Sequence, residues 1–590
     1  MSAPLSTSTL GTPGPSRTAR SRRTRGGGGS LLARRESMVW LTAGTLILLL
    51  TMILGLLGLV VYQGAGTFWP RPLIQLQPVS GPAFLGEPSS VETYEPADHD
   101  FQDLPPEVAE EARRGVAAAG GEAVRREIRT GNFELTGEHF RWISDFEIAE
   151  ESLPEWGLVL ERLTWGRFYG FPRAFRIDGE EVASTPAAVW ERFEAEHGAV
   201  RDRFSERTRI EDVEVGRVAD RLEEARLAVR QAALDHGEDS PQVREAEAAF
   251  AEVEEEASAE YEALRERIQE IARENERYEL VLETADGTEK VLELQDVVLA
   301  YPANRLGLGG KLAVFASRWR EFLLDRPRSS NSEGGVFPAI FGTVVMTLLM
   351  SLVVVPFGVL AALYLREYAK PGPVVSTVRI AVNNLAGVPS IVYGVFGLGF
   401  FCYFLGIGID ELFFEARLPN PTYGTGGILW ASLTLALLTL PVVIVATEEA
   451  LAAVPSSMRE GSYACGATKW QTIRRIVLPR AMPGIMTGLI LAIARGAGEV
   501  APLMLVGALK LAPRLPVEMD GLVPSFHPER SFMHLGFHIY DLGFHSQNSE
   551  AAKPMVYTTT LLLIGIIVTL NVCAIWVRGR LRRRFQGSAV

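Results

Sequence analysis

Six blocks of apolar residues, each long enough to cross a lipid bilayer, constrain this chain more than any other feature. The first runs from Met38 to Tyr62 without a charged residue. At a rise of about 1.5 Å per residue, it exceeds the roughly 30 Å hydrocarbon core of a bilayer. It is also longer than the apolar core of a signal peptide, which has about 7 to 15 residues. We therefore predict a transmembrane helix here, and five more at 336–365, 374–405, 426–446, 481–509 and 555–577.

Basic residues near the ends of these blocks predict the orientation of the chain. Seven arginines precede the first block: Arg17, Arg20, Arg22, Arg23, Arg25, Arg34 and Arg35. Positive residues beside a span resist translocation, so the tail at 1–37, whose composition is typical of disorder, is expected in the cytoplasm. Alternation then places the loop 448–480 and the C-terminal tail in the cytoplasm. Residues 63–334 are expected to be periplasmic.

The net charge bears on nucleic-acid binding, and the cysteines and histidines bear on metal binding. The formal net charge of -13 would discourage nucleic-acid binding if it were spread evenly, but the acidic residues concentrate between about 91 and 300 and the rest of the chain is locally basic. The three cysteines have no metal-ligand spacing. Four histidines cluster at 527–545, but no carboxylate or cysteine motif completes a zinc site. We instead expect a surface helix that rests on the membrane through Phe532, Leu535 and Phe537.

The segment at 63–334 is expected to form an α+β domain with a helical stalk at about 205–278. Apolar residues recur with helical spacing at Val215, Val218, Leu222, Ala225, Val229 and Ala232, and again at Val243, Phe250, Ala257, Leu264, Ile271 and Tyr278. Ser240 and Pro241 suit the start of the second helix, which predicts an antiparallel hairpin. Asp-Gly turns at 178–179 and 286–287 predict strands on either side. The stalk either packs only on itself or binds a partner as a coiled coil.

The loop at 448–480 carries a spaced motif. Glu460-Gly461-Ser462 is followed after three residues by Gly466, after nine more by Ile476, and then by Leu478-Pro479. This pattern resembles the EAA loop of ABC importer permeases, with Gly461 and Ser462 in place of two alanines. Such a loop inserts a short helix into an ATPase, and a glycine permits the turn that follows. The resemblance implies ATPase coupling through Glu460, Gly461, Gly466, Trp470, Ile476, Leu478 and Pro479.

Further motifs narrow this resemblance to phosphate transport permeases of the PstA type. They include Tyr364 to Tyr368, Asn384 to Gly394, and Arg495 to Pro502. The last usually reads R-A-x-G-E-T-A-P in that family; Gly496 and Val500 depart from it, and its Ala-Pro ending favours the PstA type over the PstC type. The resemblance covers nearly all of 335–585 but not 63–334. It implies a mainly α fold, with a six-helix type I (MetI-like) transmembrane domain.

The resemblance also implies a function and partners. It points to the permease subunit of an ATP-driven phosphate importer in the bacterial inner membrane, with a PstC-type sister permease, an ATPase dimer, a periplasmic phosphate-binding protein and membrane lipid as partners. The chain has no G-x-x-x-x-G-K-[ST] motif, since Gly310-Lys311 is followed by Leu312. We therefore expect no enzyme activity and no cofactor on this chain, with ATP used by the partner ATPase. Alternatives are import of phosphonate, molybdate or sulfate, or an envelope scaffold or sensor that uses the stalk.

Arg495 and Glu499 are the candidate substrate-path residues. Arg495 lies fourteen residues beyond Ala481, or about 21 Å along a helix, where an unpaired charge costs at least about 2.5 to 3.5 kcal/mol. Glu499 follows at i+4, so the pair either stabilises the bundle or lines the anion route, because a guanidinium suits a phosphate oxyanion. Secondary candidates near the start of the third predicted span, which could instead be interfacial, are Arg379, Asn383 and Asn384.

Overall fold

The computed structural model describes residues 37–328, 333–518, 525–546 and 549–586. Within them, six helices are long and apolar enough to cross a membrane. They run over Trp40–Gly66, Phe337–Tyr368, Ser390–Phe413, Ile428–Ala452, Lys469–Gly496 and Glu550–Arg583. The predicted number of spans is confirmed, whereas the predicted disordered tail lies outside the described residues except for Ser37, the first residue of α1 (Ser37–Gly66). The chain divides into two compact units between Leu59 and Val60.

The second unit begins with two antiparallel β-sheets. Their strands are β1 (Ile74–Pro78), β2 (Phe84–Tyr94), β3 (Ala123–Arg129), β4 (Phe140–Ser144), β5 (Ile148–Ser152), β6 (Leu158–Arg162), β7 (Arg167–Ile177), β8 (Glu180–Ala183), β9 (Tyr278–Glu283), β10 (Glu289–Glu293) and β11 (Val297–Pro302). The first sheet has the order β4-β3-β2-β1-β5. The second has the order β10-β9-β7-β6-β11, and β8 pairs with β7. The β7–β8 and β9–β10 hairpins turn at the two Asp-Gly pairs.

Helices fill the rest of this segment. They are α2 (Pro106–Ala118), α3 (Phe133–Thr136), α4 (Pro186–Arg209), α5 (Val215–His236), α6 (Pro241–Glu276) and α7 (Leu308–Leu324). Helix α4 packs on the second sheet through Val189 and Phe193, which share a core with Phe168 and Phe175. After α7, the short strands β12 (Pro327–Arg328) and β13 (Glu333–Gly334) lead to the membrane helices.

Helices α5 and α6 pack against each other as a hairpin. The hydroxyl of Ser240 accepts a hydrogen bond from the Val243 amide at 3.2 Å, which caps α6. The helical segment differs from the expected stalk at its start. It begins at Pro186 rather than near 205, because Thr185 caps α4 and the helical path continues through a wider turn at 210–214 into α5. That stretch lacks the regular apolar spacing on which the prediction depended.

The remaining elements form the membrane bundle and its connections. They are α8 (Phe337–Leu363), α9 (Pro373–Leu385), α10 (Ser390–Phe396), α11 (Ile407–Phe413), α12 (Ile428–Ala452), α13 (Ser456–Ala464), α14 (Lys469–Thr472), α15 (Leu478–Gly496), α16 (Ala501–Val506), β14 (Val517–Glu518), β15 (Ser525–Phe526), α17 (Leu535–Phe544) and α18 (Ser549–Gln586). Helix α12 packs against both α8 and α15. Its Leu435 and Ala436 share a buried core with Met346, Met350 and Ala492.

The third predicted span, 374–405, is wrong in its boundaries. The structure divides it into α9 and a separate span that begins at Ser390. Pro389 has no backbone N–H and disfavours a helical conformation at Val388, which favours a helix boundary at this point. Helix α9 contains no fully buried residue. Arg379, Asn383 and Asn384 therefore lie on a separate helix that precedes the third span.

The fifth predicted span, 481–509, is also wrong in its boundaries. The apolar helical stretch runs from Lys469 to Gly496, and α16 follows after a break. Two glycines near the break lower helix propensity, and Pro502 suits the first turn of a new helix. The other four predicted spans overlap the observed helices, with ends that differ by a few residues.

The expected surface helix near the histidine cluster is buried instead. Helix α17 packs against α8 and α18. Phe532 and Leu535 are fully buried in two apolar clusters, and His534 and His538 are buried with them. The sequence alone did not reveal that this connection folds back into the bundle, because its helix is only ten residues long.

Candidate transport path and coupling loop

The loop at 448–480 forms a short helical hairpin. Helix α13 ends at Ala464, and Gly466 follows with φ of +80°, a left-handed conformation that strains residues with a side chain. The Thr468 hydroxyl accepts the Gln471 amide at 3.3 Å, while the Gln471 side chain accepts the Thr468 amide at 2.9 Å. This reciprocal cap starts α14 directly after the turn. The motif spacing thus places two short helices on either side of Gly466.

Arg459 fastens this hairpin to the membrane bundle. Its guanidinium donates to the Glu367 carboxylate at 2.9 Å and to the backbone carbonyls of Leu451 and Val454 at 2.9 and 2.7 Å. Lys469 donates to the backbone carbonyl of Glu367. Glu367 lies just after α8, so the loop is held between the ends of two membrane helices. Sequence reasoning did not identify the pairing of Arg459 with Glu367.

The predicted coupling residues fall into two groups. Glu460, Gly461, Gly466 and Trp470 are exposed, and the Trp470 side chain is 54% exposed. The others are half-buried where the loop joins the bundle: Ile476, Leu478 and Pro479. Leu478 packs on the buried cluster that contains Ile473 and Val477. The first group therefore lies on the surface of the loop, and the second packs where the loop joins the bundle.

Arg495 and Glu499 lie together at the end of α15. The Arg495 Nε and a Glu499 carboxylate oxygen are 3.6 Å apart, and the two side chains are 38% and 22% exposed. The Nε atom of Arg495 is buried and makes no hydrogen bond within the described residues. Because a guanidinium carries about five N–H donors, this side chain keeps donors for a further acceptor. An oxyanion is an acceptor of that kind.

The break after Arg495 is positioned by close packing between two short helices. A Cβ atom at Gly394 would lie 2.8 Å from the Cα atom of Pro502, so only glycine allows α10 to approach α16 this closely. The neighbouring Tyr393, which sequence reasoning did not single out as a site residue, donates to the Leu385 carbonyl at 2.8 Å.

The secondary candidates lie elsewhere. Arg379 pairs with Glu448 at 3.3 Å and donates to the Leu365 carbonyl at 3.4 Å, beside the start of the coupling loop. Asn383 and Asn384 are exposed on α9. The structure therefore brings Arg495 and Glu499 together and leaves these three residues outside that pair.

Part of this chain is similar in sequence to known transport proteins. Residues 354–587 match the family described as "Binding-protein-dependent transport system inner membrane component". The chain is 34% identical to phosphate transport system permease protein PstA 1 of Mycobacterium tuberculosis, over 47% of this chain and 81% of that protein. It is 43% identical to phosphate transport system permease protein PstA of Mycobacterium leprae, over 34% of this chain and 60% of that protein.

A further relative is the probable ABC transporter permease protein YqgH of Bacillus subtilis, 34% identical over 35% of this chain. The chain spans 64% of the length of YqgH. The matched family domain, at residues 354–587, contains the coupling loop and most of the membrane bundle.

Proposed function

Because the chain belongs to the binding-protein-dependent transport permeases, and among them to the phosphate permeases of the PstA type, we propose that it forms half of the membrane pathway of an ATP-driven phosphate importer. The observation that carries this proposal is the half-buried Arg495 guanidinium beside Glu499, with a buried Nε donor that lacks an acceptor. A guanidinium binds phosphate oxygens in a planar, two-point geometry. Glu499 holds Arg495 in place between binding events.

Transport in this proposal depends on motion of helices rather than on covalent chemistry. A cytoplasmic ATPase dimer grips the exposed face of the coupling loop at Glu460, Gly466 and Trp470. Arg459 and Lys469 transmit that motion to the end of α8, because they connect the loop to Glu367. The bundle then alternates between inward and outward access. The ATP is bound by the partner, and no cofactor is assigned to this chain.

The orientation and the other partners follow from this assignment. The loop at 448–480 and both termini face the cytoplasm, and residues 63–334 face the periplasm, as the arginines before the first span favour. A PstC-type sister permease covers the exposed apolar faces of α10 and α16 and completes the pathway. A periplasmic phosphate-binding protein delivers the anion, and membrane lipid surrounds the assembly.

The test of this proposal is uptake of radiolabelled phosphate by cells that contain the complete complex. Arg495→Gln should lower uptake at least tenfold, whereas Arg580→Gln, an exposed arginine near the end of α18, should leave it unchanged. Competition with unlabelled sulfate, molybdate and phosphonate distinguishes phosphate from other oxyanions. Unchanged uptake by Arg495→Gln, or preference for another anion, would refute the phosphate assignment.

The alternative of an envelope scaffold or sensor makes the opposite prediction. Under it, deletion of residues 215–276, which removes the helical hairpin of α5 and α6 and leaves α4 on the sheet, abolishes function while Arg495→Gln does not. The importer proposal expects uptake to depend on Arg495 and to survive that deletion. Both variants are measured in the same uptake assay, with protein in the membrane quantified for each.

A further inference from the structure

A polar cavity of about 740 Å³ lies where the two sheets meet the ends of membrane helices. Its floor includes Tyr62 and Gly66 from α1 and Pro554 and Met555 from α18. The Thr558 hydroxyl, one turn further along α18, lies 3.1 Å from the Gly64 carbonyl and 2.8 Å from the Thr67 hydroxyl, which ties the two helix ends together. Pockets for small ligands typically measure about 300 to 1,000 Å³.

Four arginines from four different elements converge on this cavity. They are Arg129 on β3, Arg167 on β7, Arg318 on α7 and Arg328 on β12. Arg318 is 3% exposed, and none of the other three side chains is more than 21% exposed. Burying guanidinium groups is costly unless they are paired, so such a cluster requires a specific set of acceptors.

Carboxylates hold the four guanidinium groups in place. Glu87 lies 2.5 Å from Arg167, Glu161 bridges Arg167 and Arg318, Glu321 pairs with Arg328, and Glu333 lies 3.5 Å from Arg129. Burial opposes ionisation of Glu161, but Arg318 and Arg167 lower its pKa to about 2. Glu161 therefore remains charged at neutral pH and positions the arginines.

Hydrogen-bond donors nevertheless exceed acceptors in this cluster. Four guanidinium groups carry about twenty N–H donors, whereas the described contacts join them to four carboxylates. Within the described part of the chain, the Nε atoms of Arg318 and Arg328 are buried and have no hydrogen-bond partner. Arg71 also lines the cavity, from the exposed side, and donates to the carbonyls of Pro88 and Ser89. An additional anionic acceptor would satisfy this surplus.

The position of the cavity at the ends of two candidate membrane spans matches the level of lipid headgroups. Its lining includes Tyr62, Trp69 and Trp165, and tyrosine and tryptophan are enriched at the membrane–water boundary. The wall also contains the apolar side chains of Phe322, Leu542 and Met555. A charged wall beside an apolar one suits a ligand with an anionic head.

We propose that this cavity binds a phosphate group, carried either by a membrane phospholipid or by free phosphate. The arginine cluster binds the phosphate oxygens, and the carboxylates keep the guanidinium groups aligned. The lining contains no residue between Gly334 and Lys510, so this site does not include Arg495. Occupation of the cavity would join the sheet domain to α1 and α18, because the lining comes from all three.

The test uses the full-length protein in detergent with Arg495→Gln in every sample, which removes the proposed transport site. Native mass spectrometry after delipidation measures binding of added phosphatidylglycerol, with diacylglycerol as the lipid without phosphate. Equilibrium dialysis with radiolabelled phosphate measures the free anion. Arg129→Gln and Arg71→Gln are the cavity variants. Arg125→Gln, which changes an exposed arginine on the same strand as Arg129, is the matched control.

A lipid source is identified if phosphatidylglycerol binds and diacylglycerol does not. Both cavity variants, but not the control, should then weaken this binding at least tenfold. The same pattern with radiolabelled phosphate identifies the free anion. The proposal is overturned if neither probe binds, or if the cavity variants bind like the Arg125→Gln control. Arg71 is exposed, so its variant should fold even if Arg129→Gln does not.

Discussion

Replacing Arg459 by glutamine would remove the side chain that fastens the coupling loop to the bundle. Its guanidinium makes three hydrogen bonds, to Glu367, Leu451 and Val454. The Arg459 and Glu367 side chains are only 19% and 10% exposed, so water replaces the lost contacts poorly. Hydrogen bonds that involve a charged group contribute about 1.5 to 3 kcal/mol each, but such contributions are not additive. We therefore expect the loop to lose about 2 to 4 kcal/mol of local stability.

Hydrogen exchange in the full-length protein measures this loss directly. A change of 2 to 4 kcal/mol corresponds to roughly 30- to 1,000-fold faster exchange for backbone amides at 456–472. Arg474→Gln, an exposed arginine in the same loop, should change little. Glu367→Gln should give part of the effect, and the double variant should cost less than the sum of the two single ones. Exchange in Arg459→Gln within threefold of the parent would refute the reasoning.

Three further predictions concern the turn, the exposed tryptophan and the buried histidines. Gly466→Val should lower the Tm of the purified protein, because a β-branched residue at a φ of +80° costs about 1 to 2 kcal/mol. Trp470→Ala should leave the Tm unchanged but weaken co-purification of the ATPase at least tenfold, since an exposed aromatic is a typical interface anchor. Burial lowers the pKa of His534 to about 3 and of His538 to about 4. The unfolded chain therefore binds protons first below about pH 6.5, and stability should fall by about 1.4 kcal/mol per pH unit for each histidine until the folded pKa is reached.

Each of these predictions has a control and an outcome that contradicts it. Gly466→Asn should be milder than the valine variant, because asparagine tolerates left-handed backbone; equal Tm values for Gly466→Val and the parent would contradict the strain argument. Tyr261→Ala changes an exposed aromatic residue on α6 and should not affect ATPase capture. If Trp470→Ala also leaves ATPase capture unchanged, Trp470 is not an interface anchor. A double His534→Asn, His538→Gln variant should have a flatter stability profile between pH 4 and 6.5. An unchanged slope would show that these histidines do not set it.

Some of the candidate site could be read from local patterns. The spacing from Glu460 to Pro479 predicted a helical loop with a turn at Gly466, and the structure places two short helices and a left-handed glycine there. The i+4 spacing of Arg495 and Glu499 predicted their proximity. In both cases the residues lie near one another in the sequence, so local backbone geometry brings them together.

Other parts of the site depend on contacts between distant residues. Arg459 and Glu367 are 92 positions apart, and no local pattern distinguishes their pairing from other arginine and glutamate combinations. The burial of His534 and His538 depends on α17 folding back against α8 and α18, which the hydropathy of ten residues cannot indicate. The four arginines of the cavity come from four elements between 129 and 328.

The sequence by itself determined the six helices of the described residues that are long and apolar enough to cross a membrane, and the loop of the permease type, because hydropathy and motif spacing depend on neighbouring residues. The tertiary structure alone decided where the third and fifth spans break, which charges pair, and which polar groups are buried without partners. Those outcomes depend on how separate elements pack and on which groups packing removes from water. Electrostatic and hydrogen-bond energies of buried groups are set by these non-local neighbours.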